Sequence, residues 1–484
     1  MHEAATNLLI EALGEKKVRR GDAERFAASL DNIKLSFPPD AVIFPTCDND
    51  VATTLRLANS HGVPITIRGS GTSTTGAATP VCGGWAMSFA EWADCEIEPD
   101  ERIAVVRPGA ITQKINDLAA KFGLFFPPDP ASVKHCTIGG NVATNAGGLR
   151  AAKYGVTRDY VLALEGFLPT GEKVRWGAAT KKFAAGYDLR DLWIGAEGTL
   201  GVVTKIVLRL APLPEARRTF LCAFSSDEAA LNAACALMRE RFTPSVLEFM
   251  DALSIDCARA EKAAGGGIVA GGAFLLLTRG DSVLLVENDG DAASVESQAV
   301  ATRKWARDNA RAFLETGDAA EAETLWEVRR ACSPAMFRIA DSKLNEDVVV
   351  PQKNYLALLA AMREVSRETG LATPIFGHAA DGNLHVHIMY NRGDAQQRRL
   401  AQRAVAGVMR KVVDLGGAIS GEHGIGLAKS PFFQIQHSPA EIAAMRAIKR
   451  ALDPNDILGR GKIFEPFNVW DHVPADVKLP WESR

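Results

Sequence analysis

PITIRGSGTSTTGAATP (64–80) and TIGGNVATNAGG (137–148) are the stretches on which the reading of this chain turns. Both are runs of glycine, serine, threonine and alanine. Small residues let a backbone approach a ligand closely, and consecutive N–H groups can cradle phosphate oxygens. Ser70, Thr72 and Ser73 add hydroxyl donors. Neither stretch is a Walker A loop, because no Gly-Lys-Ser/Thr follows. Neither is the dinucleotide fingerprint, because the GxG at 69–71 has no third glycine in place. Alone, such a loop is more often a plain turn than a ligand cradle.

Working outward, the flanks alternate between strand and helix patterns. Strands are expected at 41–45, 64–68, 103–107, 161–168, 173–176 and 199–210, with an amphipathic helix over 111–122 ended by Gly123. The proline-punctuated APLPE at 211–215 reads as a domain boundary. Beyond it, strands are expected at 219–224, 273–278, 282–286 and 385–390. Helices are expected at 226–242, near 291–314, and at 319–338, 355–369 and 395–415. That interleaving predicts an α+β domain with an antiparallel sheet.

The chain has 484 residues, with 55 Lys+Arg against 58 Asp+Glu, a net charge of −3. Such neutrality excludes a protein built mainly for electrostatic binding to nucleic acid. A hydrophobic fraction of 47% with 23% charged residues is that of a globular protein. No stretch reaches the roughly 20 apolar residues of a membrane span. The nearest, 263–277, is short and glycine-loaded and reads as loop and strand. At the N-terminus the charge follows the apolar run, which is not the order of a signal peptide, so a cytoplasmic protein is expected. The eight cysteines form no CxxC pair, which excludes an iron–sulfur cluster of the chain's own and suits reduced thiols.

The order of segments is more specific than any one of them. PITIRGSGTSTTGAATP, RPGAITQKIN (107–116), FFPPDPAS (125–132), TIGGNVATNAGG, KYGVTRDYVLALE (153–165) and GYDLRDLWIGAEGTLGVVT (186–204) follow one another. Together they resemble the FAD-binding domain of the vanillyl-alcohol oxidase flavoprotein superfamily. The branch they resemble is that of the FAD-linked D-2-hydroxyacid dehydrogenases, which act on D-lactate, D-2-hydroxyglutarate or glycolate, and the likeness covers roughly residues 36–470. It implies an α+β fold: a two-subdomain FAD-binding module of the vanillyl-alcohol oxidase type, then an α+β substrate (cap) domain with an antiparallel sheet. The expected divisions are an N-terminal helical segment at 1–35, the FAD-binding domain at 36–214, the cap domain at 215–452, and a C-terminal segment at 453–484 returning to the FAD domain.

The resemblance also implies roles. Gly69, Ser70, Gly71, Thr72 and Ser73 would cradle the pyrophosphate. Pro128, Asp129 and Ser132 would line the cofactor path. Gly139, Gly140, Thr144 and Gly148 would approach the isoalloxazine and ribityl chain. Glu197, Gly198, Gly201 and Val203 would hold the adenosine end. The bland reading of Asp129 and Glu197 is a cap or a surface charge. Ser70 and Ser73 stand where the family usually has glycine, and their Cβ atoms restrict positive φ. No histidine lies in that loop, so the FAD is expected to be non-covalent.

Four of the nine histidines fall in FGHAADGNLHVHIMY (376–390) and AISGEHGIGLAK (418–429). His378, His385 and His387 surround a tight turn at Asp381-Gly382-Asn383, and His385 and His387, two apart, share a strand face. Glu422-His423 lies in a glycine-flanked loop. Singly, a buried histidine is usually a satisfied core residue. Two imidazoles and one carboxylate, however, form a catalytic metal shell with a position open for substrate. The resemblance implies His378, His385 and Glu422 as ligands, zinc ahead of manganese or iron, and His423 as the base. His387 replaces the family's commoner asparagine and is expected to touch substrate, support the shell or add a ligand. Asn383 is expected near flavin or substrate, its bland reading being the turn itself.

A 2-hydroxy acid needs a cation for its carboxylate. Arg329 and Arg330 in LWEVRRACSPAM (325–336) point about 100° apart on a helix, so one can face a cleft. The resemblance favours Arg329, with Ser333 one turn on. Asn345 stands where the family often has lysine, and Lys343, two residues earlier, is the expected substitute. The bland reading of Arg330 and Lys343 is a solvated charge. The function so implied is oxidation of a D-2-hydroxy acid to the 2-oxo acid. Electrons would pass to an external acceptor: an electron-transfer flavoprotein, a quinone or a cytochrome. A homodimer and a peripheral place at the membrane are both compatible with it. The alternatives are the flavin subunit of a multi-protein glycolate oxidase and a redox-inert metallohydrolase.

Overall fold

The computed structural model describes residues 2–264 and 272–482. It resolves into two compact units. One comprises 1–147, 155–213 and 422–484; the other comprises 148–154 and 214–421.

In the first unit, strands Ala41–Ile43 and Ile65–Arg68 run parallel on either side of Trp85–Ser88. The helix Asp48–His61 covers them and stops at Gly62, whose left-handed φ of 64° suits glycine. Leu9, Val51, Leu55, Ile65, Trp85 and Met87 close the core, and each buried aliphatic or aromatic side chain contributes roughly 1.5–3 kcal/mol. The chain's end takes part: Ile457 and Leu458 lie in this core, and Ile65 N–H donates to Ile457 O at 2.6 Å. The strand that feeds the first glycine-rich loop is thus pinned from the C-terminal segment. A second sheet of five strands, all neighbours antiparallel, runs Cys95–Glu98, Ile103–Val106, Val202–Arg209, Val161–Phe167, Lys173–Gly177.

The second unit is built on a seven-stranded antiparallel sheet. Its order is Ala312–Thr316, Ala216–Phe224, Ser282–Gly290, Val246–Met250, Ile375–His378, Asn383–Tyr390, Ser342–Val349. One face packs Leu221, Met250, Val283, Leu285 and Phe376 against helices Ala252–Ala264 and Ala319–Ala335. The other face carries helices Asp227–Leu237, Ala292–Asn309, Tyr355–Thr369 and Ala395–Asp414. This is the α+β architecture with an antiparallel sheet that the strand–helix interleaving predicts.

Several local expectations need correction. The strand expected over 273–278 is a 3₁₀ turn at Ala273–Leu276, because Ala273 and Phe274 drop into the helix-covered core instead of pairing. Part of the 263–277 run, residues 265–271, lies outside the described residues. The helix expected to reach 314 ends at Asn309, and Ala312–Thr316 pairs with the 216–224 strand as a sheet edge. Strands Val246–Met250, Ser342–Val349 and Ile375–His378 were not foreseen; the first two carry charged residues inside the run. The second compact unit ends at Gly421.

Candidate functional site

Within the first unit the two glycine-rich stretches come together. Thr137 caps the helix Ile138–Thr144 by accepting from Gly140 N–H at 3.2 Å, and Gly69 lies against it so closely that a Cβ there would stand 2.2 Å from Thr137 Oγ1. Among the described residues, the N–H groups of Ser70, Gly71, Thr72 and Ser73 meet no protein acceptor. That row of half-buried donors between close-packed glycines fits a pyrophosphate. Within 69–76 only Gly71 and Gly76 adopt positive φ, so Ser70 and Ser73 do not strain the loop. Ser73 Oγ instead caps it, accepting from Thr75 and Ala77 N–H at 3.3 Å each.

Beneath the loop lie buried charges the sequence reading passed over. Arg68 donates to Ala27 O and Ala78 O, and Lys462 Nζ donates to Ala77 O at 2.6 Å. Burial depresses the Lys462 ammonium to about 8, against the pull of Asp31 and Glu197.

The other residues of the implied cofactor set have these surroundings. A Cβ on Gly201 would stand 2.2 Å from the Trp193 ring, and one on Gly139 would stand 2.8 Å from Pro108 O, so packing requires glycine at both. Val203 pairs with Gly166 inside the five-stranded sheet. Pro128 is buried, Asp129 half-buried, and Ser132 O accepts from His135 and Cys136 N–H. Thr144 Oγ1 donates to Gly140 O. Gly198 has a φ of 69° over Ile67. The buried carboxylate of Glu197 accepts from Ile425 N–H and Gly426 N–H, both at 2.8 Å, so its side chain anchors the loop that follows His423. Thr75 joins the same loop, donating from Oγ1 to His423 O at 3.3 Å and accepting at its carbonyl from Leu427 and Ala428 N–H. The glycine-rich loop and the His423 loop are therefore one hydrogen-bonded assembly.

In the second unit, Ile375–His378 and Asn383–Tyr390 form a hairpin around the 379–382 turn, with His378 paired to Asn383 and Phe376 to His385. His378 and His385 are buried and their rings meet edge-on at 5.3 Å. Two carboxylates that the sequence reading missed hold this hairpin. Glu248, directly across from His378, accepts from His378 Nδ1–H and from Arg329 Nε–H, the latter at 2.6 Å. Burial pushes the Glu248 pKa up, but His378 and Arg329 beside it and the hydrogen bonds they make outweigh it, leaving the carboxyl at about 2. Asp347, opposite His385, accepts from Asn383 Nδ2 at 2.6 Å and from Gly421 N–H at 3.0 Å. Asn383 also donates to Val348 O, so its amide hydrogens tie the hairpin to the neighbouring strand. Glu422 is one peptide bond beyond the anchored Gly421. One ligand atom each from His378, His385 and Glu422 falls within 4.8 Å of the others, a donor set that fits a divalent cation.

His387 is fully buried, stacks on Phe376 at 4.6 Å and lies 3.3 Å from Pro374 O through Nδ1. Burial, then Lys343 and His385, hold its pKa well below the ordinary imidazole value. It is not part of the three-residue donor group. Arg329 lies over the Phe376 ring at 4.3 Å, while Arg330 pairs on the surface with Glu323. Lys343 donates to Ser333 Oγ at 2.6 Å, and burial lowers its pKa to about 8; Asn345 is exposed. Arg329, Ser333 and Lys343 thus share one part of the unit. Gly148, at the start of the unit's 148–154 segment, has a φ of 134°.

Comparisons with known proteins show the family. Residues 39–177 match the FAD binding domain, and residues 213–463 match the C-terminal domain of FAD linked oxidases. A glycolate oxidase subunit of Bacillus subtilis is 35% identical over 94% of this chain and 96% of its own length. A D-lactate dehydrogenase of Anaerostipes hadrus is 34% identical over 88% and 89%. The crystal structure of p-cresol methylhydroxylase shares the fold, with a TM-score of 0.78 at 17% identity over 96% of this chain and 97% of that one.

Proposed function

Because this chain belongs to the FAD-linked oxidases and carries their FAD-binding domain, we propose that it oxidises a D-2-hydroxy acid to the 2-oxo acid with the help of a divalent cation. The observation that carries the proposal is the convergence of His378, His385 and Glu422, in a chain whose second unit also groups Arg329, Ser333 and Lys343. A cation at the donor set, when bound, would polarise the substrate hydroxyl, and FAD supplies the hydride acceptor.

This chain's own residues do the rest. Arg329, steadied by Glu248 and Phe376, presents a planar guanidinium that suits a carboxylate. Lys343 and Ser333 add donors beside it. His423, whose backbone is held by Thr75, accepts the hydroxyl proton, while FAD, when bound, would take up the C2 hydride. The electrons would pass on to an external acceptor: an electron-transfer flavoprotein, a quinone or a cytochrome. Non-covalent attachment is favoured by a loop with no histidine, cysteine or tyrosine over 68–80.

A second reading, the flavin subunit of a multi-protein glycolate oxidase, is favoured by the Bacillus subtilis relative and fits the scattered cysteines, which would leave any iron–sulfur cluster to a separate protein. A redox-inert metallohydrolase has no support, since the family is one of FAD-linked oxidases. Anaerobic bleaching of the flavin by a panel of 2-hydroxy acids tests the proposal. D-lactate or D-2-hydroxyglutarate should bleach it and the L-isomers should not. Bleaching by glycolate alone favours the second reading, and no bleaching by any 2-hydroxy acid rejects both.

A further inference from the structure

We propose that Glu248 is a positioning residue that fixes a metal ligand and the substrate-binding arginine together, and so sets the affinity of the site for its cation. The inference rests on the donor set proposed above.

Glu248 sits in the middle of Val246–Met250, a strand buried at every position, and is its only charged residue. An isolated carboxylate there would be strongly disfavoured, so the strand keeps an acid only because both oxygens are paired. The two oxygens are divided between two partners. One faces His378 Nδ1, directly across the strand pair; the other takes Arg329 Nε–H at 2.6 Å from the helix Ala319–Ala335. A carboxylate can only accept, so the His378 proton must reside on Nδ1, and Nε2 then carries the lone pair that a cation requires. The same carboxylate holds the guanidinium by Nε, while Phe376 supports its face at 4.3 Å. Phe376 is itself the cross-strand partner of His385. His378, Arg329 and His385 are therefore oriented by one connected set of contacts, with Glu248 as its centre.

The alternative is that Glu248 merely neutralises Arg329 and keeps the helix on the sheet. The two roles separate in metal binding. Full-length, flavin-loaded protein is stripped of metal and titrated with zinc against a chromophoric chelator, with flavin absorbance reporting the fold. Glu248→Gln offers one acceptor where two are needed and turns an NH₂ toward a donor. Glu248→Asp keeps the negative charge beside Arg329, which favours retention of the fold, but draws back from His378 by one methylene. Both variants should keep FAD and lose zinc affinity by about 10–100-fold, the usual effect of losing such an outer partner. Zinc affinity within about twofold of wild type in either folded variant overturns the inference. Wild-type protein that takes up no zinc, or a His378→Ala variant that takes up as much as wild type, overturns the donor set and this inference together. The response to 2-hydroxy acids is read separately by flavin bleaching.

Discussion

Glu197 accepts the backbone N–H of Gly426 at 2.8 Å, and its other oxygen takes Ile425 at the same distance. A carboxylate that lies among the cofactor motifs in sequence is thus the anchor of the loop bearing His423. Glutamine can satisfy one of these N–H groups and would turn its own NH₂ toward the other. Glu197→Gln should therefore cost about 1–3 kcal/mol, the penalty of one buried unpaired donor, and Glu197→Ala should cost more. Thermal unfolding followed by flavin fluorescence measures both. Unchanged midpoints would mean that the loop stands without this clamp.

Lys343 gives a pH dependence with a definite sign. Burial lowers its pKa from 10.5 to about 8, so between those values the unfolded chain binds the extra proton and the folded chain does not. Stability should rise with pH over that window, by at most a few kcal/mol at 1.36 kcal/mol per unit. Substrate binding should move the other way. Above pH 8 the ammonium that accompanies Ser333 is lost, and a charge-assisted hydrogen bond is worth about 1.5–3 kcal/mol. KM should climb about tenfold or more between pH 7 and 9.5, and Lys343→Gln should flatten that rise. A pH-independent KM in the wild type would remove Lys343 from substrate binding.

The sequence made some of this readable and concealed the rest for physical reasons. The small-residue loops announce themselves because only small residues permit the approach of Gly69 to Thr137. The turn between His378 and His385 was legible from Asp381-Gly382-Asn383, and the 355–369 helix from its pattern, though the strand before the turn was not. Glu248 was not, because a charged residue inside a short apolar strand reads as an interruption of the pattern; Asp347 was not, because SKLNEDVV carries too many polar residues to read as a strand. In the structure both are buried acids held by partners far away in sequence, Arg329 and His378 for one, Asn383 and Gly421 for the other. The only local signal is the isolated acid in VLEFM, which asks for a buried partner without naming it.

FAD and metal should come away by different treatments. The glycine-rich loop offers no side chain for a covalent bond to the ring, so acid precipitation should release the flavin into the supernatant. Colour kept by the pellet would mean a tether elsewhere. Dialysis against a strong chelator should abolish turnover while the flavin absorbance persists, because the proposed ligands His378, His385 and Glu422 are not residues of the glycine-rich cofactor loop. Activity should return with zinc or manganese. Turnover that survives complete removal of metal would eliminate the cation from the mechanism.

Glu422 and His423 are adjacent yet carry different proposed tasks, and two substitutions separate them. Glu422→Ala removes the only anionic donor of the three-residue group, so its metal content should fall along with its activity. His423→Ala removes an imidazole from a loop held through main-chain groups, by Thr75 on the His423 carbonyl and by Glu197 on the next two N–H groups but one. The loop should keep its course, and metal and FAD should both stay. What should be lost is the proton acceptor, with flavin reduction by substrate slowed about 10²–10⁴-fold. Stopped-flow reduction beside metal analysis of each variant reads all of these quantities. If His423 only fills space in the loop, its alanine variant will melt earlier yet reduce flavin at nearly the wild-type rate. If His423→Ala arrives without metal, the histidine is a ligand, and the base must be sought among the other groups of the site.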